Sequence, residues 1–237
     1  CDGDGVALMP AARDHKRIGE GDTGPNTGGM GTITDDSLLT VAETNQVIET
    51  MIKPTLAGCK AEGYPFRGIL FLGLMMTQTG PMLLEYNVRF GDPETQAILV
   101  GLESDLGEIC EAMLESRLAD YPINWRAGSS ACVILAAEGY PAKPRTGDLI
   151  SGLSDAAMKD IEIFHSGTAL AKNDVQDNPV SENLPLTTHH SPFITSGGRV
   201  LGVTAVGDDL ETAIAWAYHS ASRISWPGMQ FRRDIGN

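Results

Sequence analysis

The stretch GILFLGLMMTQTGPMLLEYNVRF, residues 68–90, constrains the fold more than any other part of the sequence. Its first nine residues are apolar apart from glycine, and the run is far too short to span a bilayer. Gly68 bounds it on one side and the turn TQTG on the other, which reads as a buried central strand. The chain then returns through PMLLEYNVRF, making an antiparallel hairpin. Side chains alternate across a strand, so Met82, Leu84, Tyr86, Val88 and Phe90 share one face. Leu83, Glu85, Asn87 and Arg89 share the other. A carboxylate, an amide and a guanidinium at successive same-face positions are unusual. Two oxygen donors that close suit a hard cation such as Mg²⁺, which takes few protein ligands and completes its shell with water and substrate phosphates. An arginine next in line can grip a phosphate or carboxylate with two hydrogen bonds. The same residues also read as a solvated strand face carrying a Glu–Arg ion pair. GDPE then turns the chain, with Asp92 and Glu94 close by.

The flanks of the hairpin are helical. Val41, Val47, Ile48, Met51 and Ile52 form a stripe that Pro54 kinks or splits and Gly63 ends. Residues 104–118 form a second helix with Ser104 as cap and Leu106, Ile109, Cys110, Met113, Leu114 and Leu118 as its apolar face. From Ser129 the texture changes to short strands: SACVILAA, IEIFHSGTAL and RVLGVTAVG. A helix over 208–224 follows, capped by Asp208, and MQFRRDIG closes as a last strand. Residues 171–192 are polar with three prolines and read as a surface insertion. The organisation is therefore an α+β chain with an antiparallel sheet over 1–128 and a small β-rich domain over 129–237. At the start, CDGDG reads as a tight turn and VALMP as a short strand. The strand entering that turn is reduced to Cys1, so the chain reads as part of something longer.

Lys and Arg total 17 against 31 Asp and Glu, a net charge of −14. That disfavours nucleic acid and anionic membrane as partners. The four cysteines match neither a zinc pattern nor a dense disulfide framework, and Cys110 and Cys132 read as small core residues. A cytoplasmic setting fits this usage.

DHKRIGEGDTGPNTGGMG, residues 14–31, has no three apolar residues in a row and reads as a loop outside the core. It is not a P-loop, because no Gly-Lys-Ser/Thr follows the glycines, and no strand–glycine–helix order surrounds it. Gly28, Gly29 and Gly31 let backbone N–H groups approach an anion. Lys16 and Arg17 supply local positive charge. The alternative is a mobile surface loop with two solvated cations. His189-His190 reads as a surface pair and His165 as a structural residue.

DHKRIGEGDTGPNTGGMG, LEYNVRFGDPETQ and TSGGRVLGVTAVGDDLETAIAWAY followed by MQFRRDIG together resemble the glycinamide ribonucleotide synthetase (phosphoribosylamine–glycine ligase) family of ATP-grasp enzymes. The resemblance runs through nearly the whole chain. It implies a partial ATP-grasp domain followed by a small carboxy-terminal domain. It also implies ATP-dependent joining of glycine to 5-phosphoribosylamine through glycyl phosphate, in purine biosynthesis. By the same resemblance Glu85 and Asn87 are metal ligands for Mg²⁺ or Mn²⁺, and Arg89 is the catalytic arginine. Lys16, Arg17, Asp22, Asn26, Thr27, Gly28, Gly29 and Met30 contact the substrates, and Arg199 reaches the same cleft. The family's amino-terminal domain and the first half of its ATP-grasp fold, with the ATP-holding lysine, have no counterpart here. The implied partners are therefore that missing part and, in a multifunctional chain, further modules. These residues alone are expected to be inactive. Two alternatives remain at this stage: a non-catalytic fragment that retains the fold, and another purine-pathway ATP-grasp ligase.

Overall fold

The computed structural model describes residues 1–171 and 192–237. The expected insertion, including His189-His190, lies outside the described residues apart from its two end positions. The strands are β1 (Ala12–Asp14), β2 (Arg17–Gly19), β3 (Thr23–Asn26), β4 (Gly31–Thr34), β5 (Phe71–Thr77), β6 (Gly80–Asn87), β7 (Ser129–Ala136), β8 (Ile161–His165), β9 (Thr168–Leu170), β10 (Phe193–Thr195) and β11 (Arg199–Gly207). The helices are α1 (Val41–Val47), α2 (Lys53–Ala61), α3 (Glu94–Leu99), α4 (Leu106–Leu114), α5 (Leu153–Ala156) and α6 (Leu210–Ala221).

A five-stranded antiparallel sheet in the order β1-β4-β7-β11-β8 forms the centre. All eight residues of β7 are buried, as are the last eight of β11. Helix α6 covers this sheet. Ala213, Ala217 and Ala221 recur every four residues and are fully buried, so one turn after another of the helix can sit close on the strands. Its cap is Asp209, which accepts from Thr212 N–H at 2.7 Å, rather than the expected Asp208.

The sheet crosses residue 128. Strands β1 and β4 from the first 34 residues pair with β7 and its neighbours, so the division at 128 does not separate two sheets. The expectation that 14–31 stays outside the core is corrected. Met30 is fully buried, and so is every residue of β4. Pairing with β7 buries these positions, although nothing in their own pattern signals a core strand.

The hairpin at 68–90 is present as β5–β6, but not as a central buried strand. It is a separate two-stranded ribbon packed on α1 and α2 through Leu70, Leu72 and Leu74. Met75, Met82, Leu84 and Val88 are exposed. A register slip between Gly73 and Leu74 leaves Leu84 unpaired, so the alternation from 82 onward is broken there. Glu85 and Asn87 lie beyond the slip.

The helical stripe at 41–61 runs continuously through a π-turn at Ile48–Ile52, where Lys53 N–H reaches back five residues to Ile48 O. The wide turn admits Pro54 at the start of α2 without breaking the helix. Other expectations fail locally. Val6–Pro10 pairs with nothing as a strand. The cap of α4 is Asp105, which accepts from Gly107 and Glu108 N–H, while Ser104 serves Asn124. Cys110 is exposed, because the inner face of α4 runs through Ile109 and Ala112. Residues 229–236 form one bridge, Gln230 to Ala136, and no strand. Beyond that bridge their polar groups bond to loops, to Arg17 O of β2 and to Tyr218 of α6 instead of to a ladder. Among the described residues no helix is long and apolar enough to cross a membrane.

Candidate active site

Glu85 and Asn87 lie side by side at the end of β6, with Asn87 Nδ2 donating to Glu85 Oε1 at 3.3 Å. Gly73 opposes Glu85 across the ribbon, and a Cβ there would meet Glu85 Cγ at 3.0 Å. The carboxylate is thus held against bare backbone, with its oxygens at the exposed edge. Two hard oxygen donors at this spacing suit a magnesium ion that takes its remaining ligands from phosphates and water. Among the described residues no cluster of three or more His, Cys, Asp or Glu is arranged to hold a metal by itself. Arg89 lies past the end of β6. Its Nη1 donates to Phe90 O at 2.8 Å, and among the described residues it forms no ion pair with Glu85.

The turn after β6 leads into α3, a helix that sequence patterning did not anticipate. Asp92 and Glu94 stand at its start and face the glycine-rich loop. Arg199, at the head of β11, joins them. Its Nη1 donates to Gly28 O and to Asp92 O, both at 2.9 Å, and its Nη2 lies 3.0 Å from Asp92 Oδ2. Gly28 N–H donates to Tyr140 OH at 2.9 Å. Both polar groups of the Gly28 peptide are therefore held by side chains from beyond residue 128. Tyr140 escaped sequence reading because a tyrosine in a proline-rich loop has no periodic signature.

The loop's other residues divide by role. Thr27 closes the bend: its N–H and Oγ1 both donate to Lys16 O, and its Oγ1 accepts from Gly29 N–H. Gly29 has φ +120°, which favours glycine, and lies against Asp14 and Pro93. Met30 is fully buried, so only its backbone remains for any ligand. Asn26 is exposed opposite Arg17 in the β2–β3 ribbon.

Lys16 and Arg17 turn to different partners. Arg17 Nη1 donates to Gly24 O at 2.7 Å. Lys16 forms an ion pair with Asp14 and lies 3.8 Å from Glu94 Oε1. Burial pushes the Asp14 carboxyl up to about 6, against the pull of Lys16. Burial also works against the Lys16 charge, but Asp14 and then Glu94 outweigh it and hold the ammonium above the usual lysine value. Asp22 is bound to the nearly buried Arg232, whose Nη1 donates to its Oδ1 at 2.7 Å. Asp14, Tyr140 and Arg232 had not been singled out from the sequence, and Glu94 only as a residue close to the hairpin's end.

The profile of the phosphoribosylglycinamide synthetase ATP-grasp (A) domain matches residues 1–95, and that of the C domain of the same synthetase matches residues 130–237. The chain belongs to the phosphoribosylglycinamide synthetase family. Within this family, the phosphoribosylamine–glycine ligase of Synechocystis is 44% identical over 239 residues, covering 100% of this chain and 53% of that protein. That of Vibrio parahaemolyticus is 42% identical, over 99% of this chain and 51% of its own length. The chloroplastic ligase of Arabidopsis thaliana is 41% identical, over 99% and 42%. The chain spans about half the length of most of the curated relatives it matches. The crystal structure of the Thermotoga maritima phosphoribosylamine–glycine ligase superposes with a TM-score of 0.81 at 33% identity, covering 100% of this chain and 54% of that one. The biotin carboxylase domain of a thermophilic 2-oxoglutarate carboxylase shares the fold alone, with a TM-score of 0.53 at 14% identity. The architecture is a partial ATP-grasp α+β fold with an antiparallel sheet.

Proposed function

We propose that this chain supplies one half of a phosphoribosylamine–glycine ligase, which joins glycine to 5-phosphoribosylamine with cleavage of ATP to ADP and phosphate. The observation that carries the reading is the Glu85–Asn87 pair at the end of β6, within a chain whose two halves match the two domain profiles of this synthetase. Glu85 and Asn87 would hold Mg²⁺, and Mn²⁺ has the same donor requirements. The ion, when bound, offsets phosphate charge as the phosphoryl group moves. The γ-phosphoryl group passes to the glycine carboxylate and ADP leaves. The sugar amine then attacks the acyl carbon, an amide forms, and phosphate and a proton depart. Arg89, exposed beside the pair, is the candidate to steady the transferring phosphate or the glycine carboxylate. Lys16 and the Asn26–Gly31 backbone are the candidates to meet the substrates' anionic groups. A cytoplasmic setting belongs to this reading and is supported by four free thiols.

The test uses a full-length ligase carrying these residues, with glycine-dependent ADP release as the readout. Glu85→Gln keeps the shape and removes the charge. It is expected to lower kcat/KM at least about tenfold, ~1.4 kcal/mol, and to raise the Mg²⁺ concentration needed for half-maximal rate. Unchanged turnover and Mg²⁺ dependence in that variant would remove Glu85 from the metal site. Absence of glycine-dependent ADP release in the parent enzyme would overturn the ligase reading itself.

A further inference from the structure

We propose that Asp14 and Glu94 are positioning residues that set the Lys16 ammonium beside the glycine-rich loop as the receptor for a substrate oxyanion. That oxyanion is either the phosphate of phosphoribosylamine or the carboxylate of glycine, and the proposal rests on the ligase reading above.

The geometry carries it. The Asp14 and Glu94 side chains are only 8% and 6% exposed, whereas Lys16 is 55% exposed. Burying two carboxylates within reach of one lysine is unfavourable unless the arrangement does something. The backbone is shaped around both groups. A Cβ on Gly29 would come within 2.8 Å of Asp14 Oδ1, and one on Gly91 within 2.7 Å of Glu94 Cδ. A side chain at either glycine would collide with the carboxylate it faces. Among the described residues Lys16 is the charge partner of the Asp14 carboxylate. A lysine stem is long and flexible. Anchoring its head from below removes that freedom before a ligand arrives, while half of the side chain stays open to solvent.

The groups facing this pair are few. Asp14 feels Lys16, Glu94 and the backbone of His15, and Lys16 feels Asp14, Glu94 and Arg199. Asp14 is charged above about 6, so the anchor on Lys16 is complete there and weakens as pH falls below it. The stability term has the opposite sense. A carboxylate whose folded pKa is raised contributes stability that is present at low pH and lost as pH rises toward about 6. Asp14→Asn is therefore expected to leave folding stability at pH 8 undiminished. A purely structural Asp14 would give the reverse.

The experiment measures KM for glycine and for phosphoribosylamine between pH 5 and pH 9. It compares the full-length parent ligase, Asp14→Asn, Lys16→Met and the double variant. The expected result is a KM about tenfold higher for one of the two substrates in Asp14→Asn at pH 8, the size of one charge-assisted contact, with kcat little changed. The substrate affected identifies the oxyanion. The parent's KM for that substrate rises more steeply than that of Asp14→Asn as pH falls through about 6, any rise from the substrate's own ionisation being common to both. The double variant is no worse than Lys16→Met alone, because Asp14 acts through Lys16. Additive losses, or unchanged KM values for both substrates, would overturn the proposal. A separate arm follows the Lys16 ammonium by NMR in the same proteins. Its pKa is expected to fall in Asp14→Asn, and an unmoved value would also overturn the proposal. If the parent shows no glycine-dependent ADP release, the ligase reading fails. The NMR arm then still decides whether Asp14 holds Lys16.

Discussion

A single side chain, Arg199, joins the glycine-rich loop to the turn that follows the metal-ligand candidates. It is 19% exposed and donates to two backbone carbonyls, Gly28 O and Asp92 O, besides pairing with the Asp92 carboxylate. Arginine suits this place because its planar fork can reach several acceptors at once. Arg199→Met keeps the stem and removes all three contacts. It is expected to destabilise the protein by about 2 kcal/mol, the range for losing hydrogen bonds to a charged group, and to raise the substrate KM by loosening Gly28. Urea denaturation and steady-state kinetics check the two parts separately. A KM effect without a stability loss would mean that Arg199 meets substrate directly, as the sequence resemblance had it. The site was only partly legible from sequence. Glu85 and Asn87 stood out because alternation on a strand is a strong regularity and ordinary strand faces rarely show that trio. Asp14 sat inside a quoted motif yet carried no signal of its own. Its meaning depends on Glu94 and Gly29, which approach it only in three dimensions.

Elements with their own periodicity were readable, and elements made by their neighbours were not. Strands β7 and β11 are near-continuous apolar runs, and α6 carries a stripe, so each announces itself. Strands β1 and β4 have the sequences ARD and GTIT, which alternate nothing recognisable. β4 is a strand because β7 offers it a ladder, and β1 in turn because β4 does. The β5–β6 ribbon erred in the other direction, since an apolar run was taken for a buried one. The helix preceding this ribbon starts from a strong local signal. Thr40 Oγ1 accepts from Glu43 N–H, and Glu43 Oε2 accepts from Thr40 N–H at 2.8 Å, a complete capping box. Thr40→Ala removes half of it and is expected to lower stability by about 1 kcal/mol. Because α1 and α2 support the ribbon that carries Glu85, the Mg²⁺ dependence of Thr40→Ala gives a second reading. If stability falls while Mg²⁺ dependence holds, the ribbon keeps its shape without full support from the helix start.

At the scale of the whole molecule, the last six residues close back onto the first loop. Arg232, 2% exposed, donates to Asp22 Oδ1 at 2.7 Å and to Arg17 O at 3.2 Å, and makes two 2.7 Å bonds to the Asp234 carboxylate. Asp234 also accepts from Gly21 N–H at 2.8 Å, and His15 Nε2 accepts from Gly236 N–H at 3.3 Å. Apart from the Arg232–Asp234 pair, these contacts link positions more than 200 residues apart, so the β2–β3 ribbon beside the glycine-rich loop is held by the carboxy-terminal tail. The pairing with Arg232 holds the Asp234 carboxyl down at about 2. For a depressed carboxylate, the stability contribution is present above the unfolded value near 3.8 and is lost as pH falls toward about 2. Arg232→Met keeps much of the buried volume and deletes the charge. It is expected to lower stability at pH 7 by about 3 kcal/mol, the low end for breaking a buried pair, because Asp22 is 71% exposed and stays solvated. The variant is also expected to lose the part of the acid-induced decline between pH 4 and pH 2 that Asp234 contributes. Urea midpoints across that range, compared with the parent, measure both effects. A parallel decline in both proteins would show that Arg232 does not set the Asp234 carboxyl. Limited proteolysis completes the test, since release of the tail from Arg17 and Asp22 is expected to speed cleavage within residues 17–26. Cleavage there at the parent's rate would mean that the ribbon holds itself and the tail merely rests on it.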